Sequence, residues 1–218
     1  MLSNLFLHYV FDKWMQRNHK GTPWCRYADD GLIHCVTKEQ AEALLEQLKV
    51  RFEACGLELH PDKTKIVYCK DEKRKGKHSE TSFDFLGYRF RARRVKNRKD
   101  GRMFVSFTPA VSPSALKAMR AKTRKWNWRN RTDLQLEDIA QKYNPVLQGW
   151  FNYYGRYQRR AMEPVYRHFN KTLVSWAMRK YKSLGNYKTR AGDLLKRIAK
   201  ENPGLFVHWR LGICKGFA

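Results

Sequence analysis

Hydrophobic residues recur at helical spacing in the first half of the chain. Between Ala41 and Cys55 they return every three or four positions, which predicts an amphipathic helix. Thr37, with Gln40 three residues later, is typical of a capping box at its start, and Gly56 suits its end. A shorter helix is predicted over residues 3–17.

Alternating or short apolar runs predict strands between and after these helices. Two such runs flank Asp29-Asp30-Gly31, which predicts a β-hairpin with a compact turn at these three residues. Further strands are predicted at 57–60, 65–69, 83–90 and 103–107. The charged stretches 70–80 and 91–102 are predicted to be loops.

The pattern changes after residue 107. Ser112 followed by Pro113 suits a helix start, and no strong strand signal follows. Helical spacing predicts helices over 113–127, 134–143, 145–156, 163–182 and 189–201. The fold class is therefore predicted to be α+β, with a mixed domain over residues 1–107 and an all-α domain over residues 108–218.

Charge adds a functional expectation. The chain carries 45 Lys and Arg against 20 Asp and Glu, a net charge of +25. Such an excess is typical of proteins that bind the phosphate backbone of nucleic acids. A merely soluble basic protein, or one that binds an acidic membrane surface, is the alternative.

Several classes of protein are disfavoured by what the sequence contains. No stretch approaches the roughly 20 apolar residues that span a bilayer, and the first residues do not resemble a secretory signal. The five cysteines form no Cys-x-x-Cys pair, which favours reduced thiols in a cytoplasmic, reducing compartment over disulfides or a zinc site.

Asp29 and Asp30 are the candidate chemical residues. Adjacent carboxylates at a turn repel each other unless the turn is solvated or a cation lies there, and Mg²⁺ prefers such hard oxygen ligands. Two such ions could activate a 3′-hydroxyl and stabilise a leaving pyrophosphate. An ordinary solvated Asp-Asp-Gly turn is the alternative.

The sequence around these carboxylates resembles a known family. Tyr27-Ala28-Asp29-Asp30 between two apolar strands resembles the active-site motif of reverse transcriptases, and two later blocks follow in the family's order: residues 56–65 and Phe85-Leu86-Gly87-Tyr88. Residues 144–155 and 205–210 resemble the maturase domain of group II intron proteins. The chain thus resembles the C-terminal part of a group II intron reverse transcriptase/maturase, with the end of a palm followed by a helical thumb.

This resemblance implies roles for particular residues. Asp29 would be a catalytic ligand of Mg²⁺, with Asp30 beside it supporting the metal site. Tyr27 and Ala28 would lie near the primer end, Lys63 near the primer or the phosphates of the incoming dNTP, and Leu86-Gly87 in the primer grip. The implied activity is RNA-directed DNA polymerisation, with group II intron RNA and an RNA template with its DNA primer as partners. The implied setting is a nucleoprotein with intron RNA in the bacterial cytoplasm.

The sequence also departs from the family. Gly31 stands where these enzymes usually have Phe, and no counterpart is seen for the fingers or for the metal-binding Asp of an earlier palm strand. Asp12 is predicted on a helix and is not a substitute. We therefore expect the chain alone to polymerise weakly or not at all. The alternative function is a non-catalytic maturase fragment that stabilises folded intron RNA, and association with itself or with a missing N-terminal part is also expected.

Basic and aromatic residues of the predicted helical domain are the candidate RNA-binding surface. Arg and Lys contact phosphates, and aromatic faces can stack on unpaired bases. Trp126 and Trp128 could stack or pack, whereas Trp150, Phe151 and Tyr154 lie on an apolar helical stripe that favours core packing. The candidate RNA-binding residues are Lys117, Arg120, Arg124, Lys125, Trp126, Arg129, Arg156, Arg159 and Arg160.

Overall fold

The chain folds into two compact units in a computed structural model that describes residues 2–74, 76–97, 99–214 and 216–217. The first unit comprises residues 1–83 and the second residues 84–218. This division does not coincide with the boundary expected between residues 107 and 108. The reason is that the long strands after residue 83 lead without interruption into the helices that follow them.

The first unit combines helices with one β-hairpin. Its first helical stretch confirms the predicted helix over 3–17, with a π-helical turn in its middle. The hairpin confirms the predicted pair of strands. The elements are α1 (Leu2–Leu7), the π-turn His8–Asp12, α2 (Lys13–Asn18), β1 (Trp24–Tyr27), β2 (Asp30–Ile33) and α3 (Lys38–Glu53).

The start of α3 follows the predicted capping pattern with one difference. Thr37 is the N-cap, and its hydroxyl accepts a hydrogen bond from the Gln40 N–H at 3.2 Å. The Gln40 side chain accepts from the N–H of Val36 at 2.7 Å, one residue before the cap. Helix α3 then packs Leu44 and Leu48 against Phe11 and Met15 to form the small core of this unit.

The strands predicted at 57–60 and 65–69 are wrong, because the backbone there is irregular. A strand needs a neighbouring strand for its backbone groups. The N–H of Tyr68 donates to the carbonyl of Glu80 at 2.9 Å, but no ladder extends from this bond among the described residues. The predicted loop over 70–80 is irregular as expected, with residue 75 lying outside the described residues.

Three antiparallel strands follow, in the order β3-β4-β5: β3 (Ser82–Phe85), β4 (Tyr88–Lys96) and β5 (Met103–Val111). The single strand predicted over 83–90 is wrong. Leu86 and Gly87 have positive φ angles of 50° and 77°, which reverse the chain in a two-residue turn. The predicted loop over 91–102 is too long, because β4 pairs with β5 up to Lys96 opposite Met103. Residue 98 lies outside the described residues.

The longer helices of the second unit agree with the predicted ones except at one position, and the short last helix was not predicted. Ser112 caps the first, accepting a hydrogen bond from the Ala115 N–H at 3.1 Å. The break predicted between 143 and 145 is wrong, because one helix continues through Pro145. The Asn144 side chain there donates to the Leu205 carbonyl at 2.8 Å and accepts from the Val207 N–H at 3.2 Å. The helices are α4 (Pro113–Lys125), α5 (Leu136–Tyr154), α6 (Glu163–Lys180), α7 (Lys188–Glu201) and α8 (Val207–Arg210).

The core of the second unit is rich in large aromatic side chains. Trp128, Trp176, Phe169 and Phe206 are all at most 1% exposed. Trp150, Phe151 and Tyr154 pack against this core, as their helical stripe predicts. The α+β fold class is confirmed, with small antiparallel sheets beside a helical majority. Within the described residues, every helix is too short or too polar to traverse a lipid bilayer.

Candidate functional site

The hairpin of the first unit presents the two candidate carboxylates. Tyr27 lies opposite Asp30 in the register of β1 and β2, so the turn consists of Ala28 and Asp29 alone. The prediction that Asp30 and Gly31 belong to the turn is therefore wrong, since both lie in β2. Opposed residues of an antiparallel pair share a face, so Tyr27 and Asp30 lie side by side. All four residues from Tyr27 to Asp30 are exposed.

A charged pair fixes the shape of this turn. Ala28 has a positive φ of 54°, a conformation that costs a non-glycine residue about 1–2 kcal/mol. The Arg26 guanidinium donates from Nη1 to the Ala28 carbonyl at 2.6 Å. Its Nε and Nη2 atoms both donate to the Asp12 carboxylate at 2.7 Å. Arg26 therefore ties the turn to the π-turn of the first helix.

Asp12 is fully engaged by its neighbours. Besides Arg26, it meets the His8 Nδ1 atom at 3.0 Å. The hydrogen bond from Arg26 lowers the pKa of the Asp12 carboxyl, more than burial raises it. Sequence patterns do not indicate this pair, because Arg26 and Asp12 are 14 residues apart and lie in different elements. Asp12 is thus a structural partner of the hairpin.

The fit of these residues to magnesium is incomplete. Exposed carboxylates such as Asp29 and Asp30 have the hard oxygen atoms that Mg²⁺ prefers. However, no group of three or more His, Cys, Asp or Glu side chains converges on a possible metal position among the described residues. Asp29 and Asp30 would supply part of a donor set, and the described residues do not complete it.

The space beside Gly31 is occupied by an aromatic ring from the first helix. A Cβ atom built on Gly31 would lie 3.9 Å from the Cζ atom of Phe11, an ordinary contact. Gly31 itself is exposed, whereas Phe11 is 5% exposed and belongs to the small core.

The remaining residues expected near primer and nucleotide fall in both units. Lys63 is exposed in an irregular turn of the first unit, where its N–H donates to the His60 carbonyl at 3.3 Å. Leu86 and Gly87 form the turn between β3 and β4, in the second unit. The structure places Tyr27, Ala28, Asp29 and Asp30 together on one hairpin, but it does not bring Lys63 into hydrogen-bonding contact with them.

Tyrosines from the end of α5 hold the Leu86-Gly87 turn. The Tyr153 hydroxyl donates to the Leu86 carbonyl at 3.0 Å, and the Tyr88 hydroxyl donates to the Tyr153 carbonyl. A Cβ atom on Gly87 would lie only 2.9 Å from the Tyr154 hydroxyl, so a side chain at position 87 would collide with the Tyr154 ring. Burial, followed by the neighbouring tyrosines, raises the pKa of Tyr88. The sequence motifs indicate both the Leu86-Gly87 segment and the end of α5, but they do not indicate the contact between these two segments.

The candidate RNA-binding residues form an exposed cationic surface on the second unit. Lys117, Arg120 and Arg124 project from one side of α4, since they are spaced by three and four residues. Arg120 is half-buried, and the Arg159 guanidinium lies 5.5 Å from the centre of the Phe151 ring. The remaining basic candidates are exposed: Lys117, Arg124, Lys125, Arg129, Arg156, Arg159 and Arg160.

The two tryptophans of this surface differ. Trp128 is 1% exposed and belongs to the core, which resolves the open choice for this residue in favour of packing. Trp126 is half-buried and stacks on Tyr143 at 4.5 Å and on Trp150 at 5.7 Å, measured between ring centres. Much of its ring is therefore used within the unit. Its predicted contact with RNA stays a prediction.

Comparison with known families matches both units of the chain. Residues 1–90 match the family described as reverse transcriptase (RNA-dependent DNA polymerase). Residues 116–194 match the family described as group II intron, maturase-specific domain. No curated protein matches the chain. The two matches occur in the order that the Asp29-Asp30 hairpin and the helical region have in the structure, and the chain belongs to the group II intron reverse transcriptases/maturases.

Proposed function

We propose that this chain binds group II intron RNA through the cationic surface of its second unit, in support of splicing and mobility of the intron. We further propose that it contributes the Asp29 hairpin to an RNA-directed DNA polymerase site. The observation that carries the proposal is the pairing of an exposed Asp29-Asp30 tip with a basic helical unit in a chain of net charge +25. Template RNA with its DNA primer, dNTP and Mg²⁺ are the partners of that site.

The geometry of the hairpin supports the roles proposed for its residues. Asp29 occupies the tip and Asp30 begins β2, so both carboxylates point away from the small core into solvent. We assign Asp29 as the metal ligand and Asp30 as its support. Tyr27 lies beside Asp30 on the same face, where it could contact the primer end. Mg²⁺, when bound, would supply the Lewis acid for attack by the primer hydroxyl.

The chain on its own is proposed to bind RNA without efficient DNA synthesis. Asp29 and Asp30 would supply two acidic ligands, and the Asp12 carboxylate is already hydrogen-bonded to Arg26 and His8. A metal held by two adjacent carboxylates alone would be weakly bound. The second candidate function, a non-catalytic maturase that stabilises folded intron RNA, is favoured by the same observation and needs only the second unit.

Primer extension separates these two functions. The purified chain is given an RNA template, a DNA primer, dNTP and Mg²⁺, beside Asp29→Ala and the control Glu53→Ala, which removes an exposed carboxylate at the end of α3. We expect no efficient extension by any variant, with equal RNA binding by all three. Extension that persists in Glu53→Ala and disappears in Asp29→Ala would overturn the proposed inactivity of the chain and establish Asp29 in a working site.

RNA binding is tested separately by its salt dependence. For a single-stranded RNA the logarithm of the association constant should fall with the logarithm of salt concentration, by about 0.7 per phosphate contact. We expect a slope of several units for the chain with a group II intron transcript. Binding that is insensitive to salt would contradict the proposed function.

A further inference from the structure

Four tyrosine rings of the second unit meet where helix α5 ends beside the turn between β3 and β4. The ring centre of Tyr88 lies 5.3 Å from that of Tyr153, 5.7 Å from that of Tyr154 and 5.4 Å from that of Tyr157. Tyr88 is 8% exposed, whereas Tyr153 is 48% exposed and Tyr157 is 58% exposed. Two of the four aromatic side chains are therefore open to a ligand in solvent.

Contacts within the unit hold the two exposed rings in place. The Tyr153 hydroxyl is hydrogen-bonded to the Leu86 carbonyl at 3.0 Å, and the backbone carbonyl of Tyr153 accepts from the Tyr88 hydroxyl. The planes of Tyr157 and Tyr88 meet at 83°, edge to face, so Tyr88 covers at most one face of the Tyr157 ring. A ring that is already held in place loses little conformational freedom when a ligand stacks on it, which favours binding.

The chemistry around these rings favours a nucleic acid as the ligand. Arg156, Arg159 and Arg160 lie within three residues of Tyr157, and all three are exposed. Exposed aromatic rings beside cations are the arrangement that binds single strands, because the cations contact the backbone while the bases stack on the rings. An apolar protein surface would instead have to bury these three charges without partners.

We propose that Tyr153 and Tyr157 form a stacking platform for an unpaired base of a bound RNA strand. The more exposed Tyr157 ring stacks on the base, Tyr153 extends the aromatic surface beside the Leu86-Gly87 turn, and Tyr88 supports both rings. The platform rests on the proposed function and deepens it, because it names a ligand group, the unpaired base, that the cationic surface does not recognise.

The platform is tested by binding of the full chain to two fluorescein-labelled oligomers of equal length. One is an oligoriboadenylate, and the other has the same number of phosphates but abasic spacers in place of its bases. Tyr157→Ala should bind the oligoriboadenylate about 5-fold more weakly, which corresponds to about 1 kcal/mol for one stacked base. Its binding to the abasic oligomer should be unchanged. The salt dependence should also be unchanged, because no phosphate contact is lost.

Three further variants separate stacking from other effects. Tyr157→Phe keeps the ring and should keep the affinity, whereas Tyr157→Leu keeps apolar bulk against Tyr88 but should bind as weakly as Tyr157→Ala. The matched control is Tyr187→Ala, which removes another exposed tyrosine of the second unit, one whose ring is covered by the Arg190 guanidinium at 4.3 Å. This control should bind like the unsubstituted chain. Circular dichroism confirms folding, and Tyr157→Leu carries the test if Tyr157→Ala does not fold.

The outcomes distinguish the platform from the proposed function. If the unsubstituted chain shows no salt-sensitive binding to the oligoriboadenylate, the RNA-binding function and the platform both fail. If that binding is present and Tyr157→Ala binds as tightly as Tyr187→Ala, the function stands and the platform is wrong. An equal loss with the intact and the abasic oligomer would overturn stacking. A loss seen only with oligodeoxyadenylate would overturn the assignment of the base to RNA.

Discussion

The two units of the chain differ in how they bury their apolar residues. The first has a small core around Phe11, Met15, Leu44 and Leu48, whereas the second encloses whole tryptophan and phenylalanine side chains. The first unit also leaves large apolar residues in solvent, among them Leu2 at 82%, Val36 at 80% and Val50 at 67% exposure. A unit that buries a small fraction of its surface gains little stability. The second unit is therefore expected to be the more stable against unfolding. The first unit, which carries the Asp29-Asp30 hairpin, is expected to be the less stable.

The polar interactions of the two units also differ. In the second unit, the buried Asn170 carboxamide oxygen meets His208 Nε2 at 2.7 Å and accepts from Trp209 Nε1 at 3.0 Å. In the first unit, Arg26 and Asp12 form a charged pair beside the hairpin turn, with 2.7 Å between Nη2 and Oδ2. A polar network inside a core depends on the packing around it, whereas a charged pair near the surface depends on its own two partners.

Truncating one core residue in each unit should have the largest effect. Trp176 is 1% exposed and its Nε1 donates to the Arg131 carbonyl at 3.1 Å, so Trp176→Ala should lower the free energy of unfolding of the second unit by about 4 kcal/mol. Leu48→Ala should cost about 3 kcal/mol and affect the first unit alone. Hydrogen exchange followed by mass spectrometry locates each loss.

RNA binding by the same two variants provides a second measurement of whether the units are independent. Trp176→Ala should also lower the denaturant concentration at which salt-sensitive RNA binding is lost, because the cationic surface is carried by the destabilised unit, while Leu48→Ala should leave that concentration unchanged. If Leu48→Ala raises exchange equally in both units, the units are not independent and the comparison between them fails.

Acid should destabilise the second unit through His208. Burial lowers the pKa of this residue to about 3, compared with about 6.5 in an unfolded chain. Below pH 6.5 the unfolded state binds more protons than the folded state, so stability is lost as the pH falls from 6.5 towards 3. At pH 5 the loss relative to pH 7.5 should be about 2 kcal/mol, measured by chemical denaturation.

His208→Gln is the control for this acid effect. It should be less stable at pH 7.5, because the buried network around Asn170 is altered, but its stability should lack the contribution of His208 to the loss between pH 7.5 and pH 5. An equal loss in the variant and the unsubstituted chain would mean that His208 is not the group responsible.

Local patterns were enough to predict part of this structure. The helical spacing of residues 41–55, the Ser112 cap and the two strands of the hairpin are predicted correctly, because each depends on residues close together in sequence. The Leu86-Gly87 turn was missed because leucine has no preference for positive φ. That turn is held by Tyr153, whose hydrogen bond spans 67 residues.

Contacts distant in sequence explain the other errors. A helix break is predicted at residue 144, but one helix continues there, and hydrogen bonds between Asn144 and residues 205 and 207 accompany this continuation. The candidate site was located by its motif alone. The pair that shapes it, Arg26 with Asp12, cannot be found from spacing, because the two residues are 14 positions apart and lie in different elements.

The smallest expected effects concern the local stability of the two turns that carry motif residues, Ala28-Asp29 and Leu86-Gly87. Asp12→Asn removes the charge that holds Arg26, so the hairpin turn at Ala28-Asp29 should lose about 2 kcal/mol of local stability. Tyr153→Phe removes one neutral hydrogen bond to the Leu86 carbonyl and should cost the second turn about 1 kcal/mol. Amide exchange rates of residues 26–30 and 86–88 measure the two effects.

Salt distinguishes the causes of these two losses. The contribution of the Arg26–Asp12 pair should shrink as ionic strength rises, so the difference between Asp12→Asn and the unsubstituted chain should become smaller in high salt. The effect of Tyr153→Phe should not change with salt, because neither of its partners is charged. The Ala28 carbonyl accepts a hydrogen bond from Arg26, and Tyr153 takes no part in that bond. Faster amide exchange of residues 26–30 in Tyr153→Phe would therefore contradict the claim that each turn is held by its own hydrogen bonds.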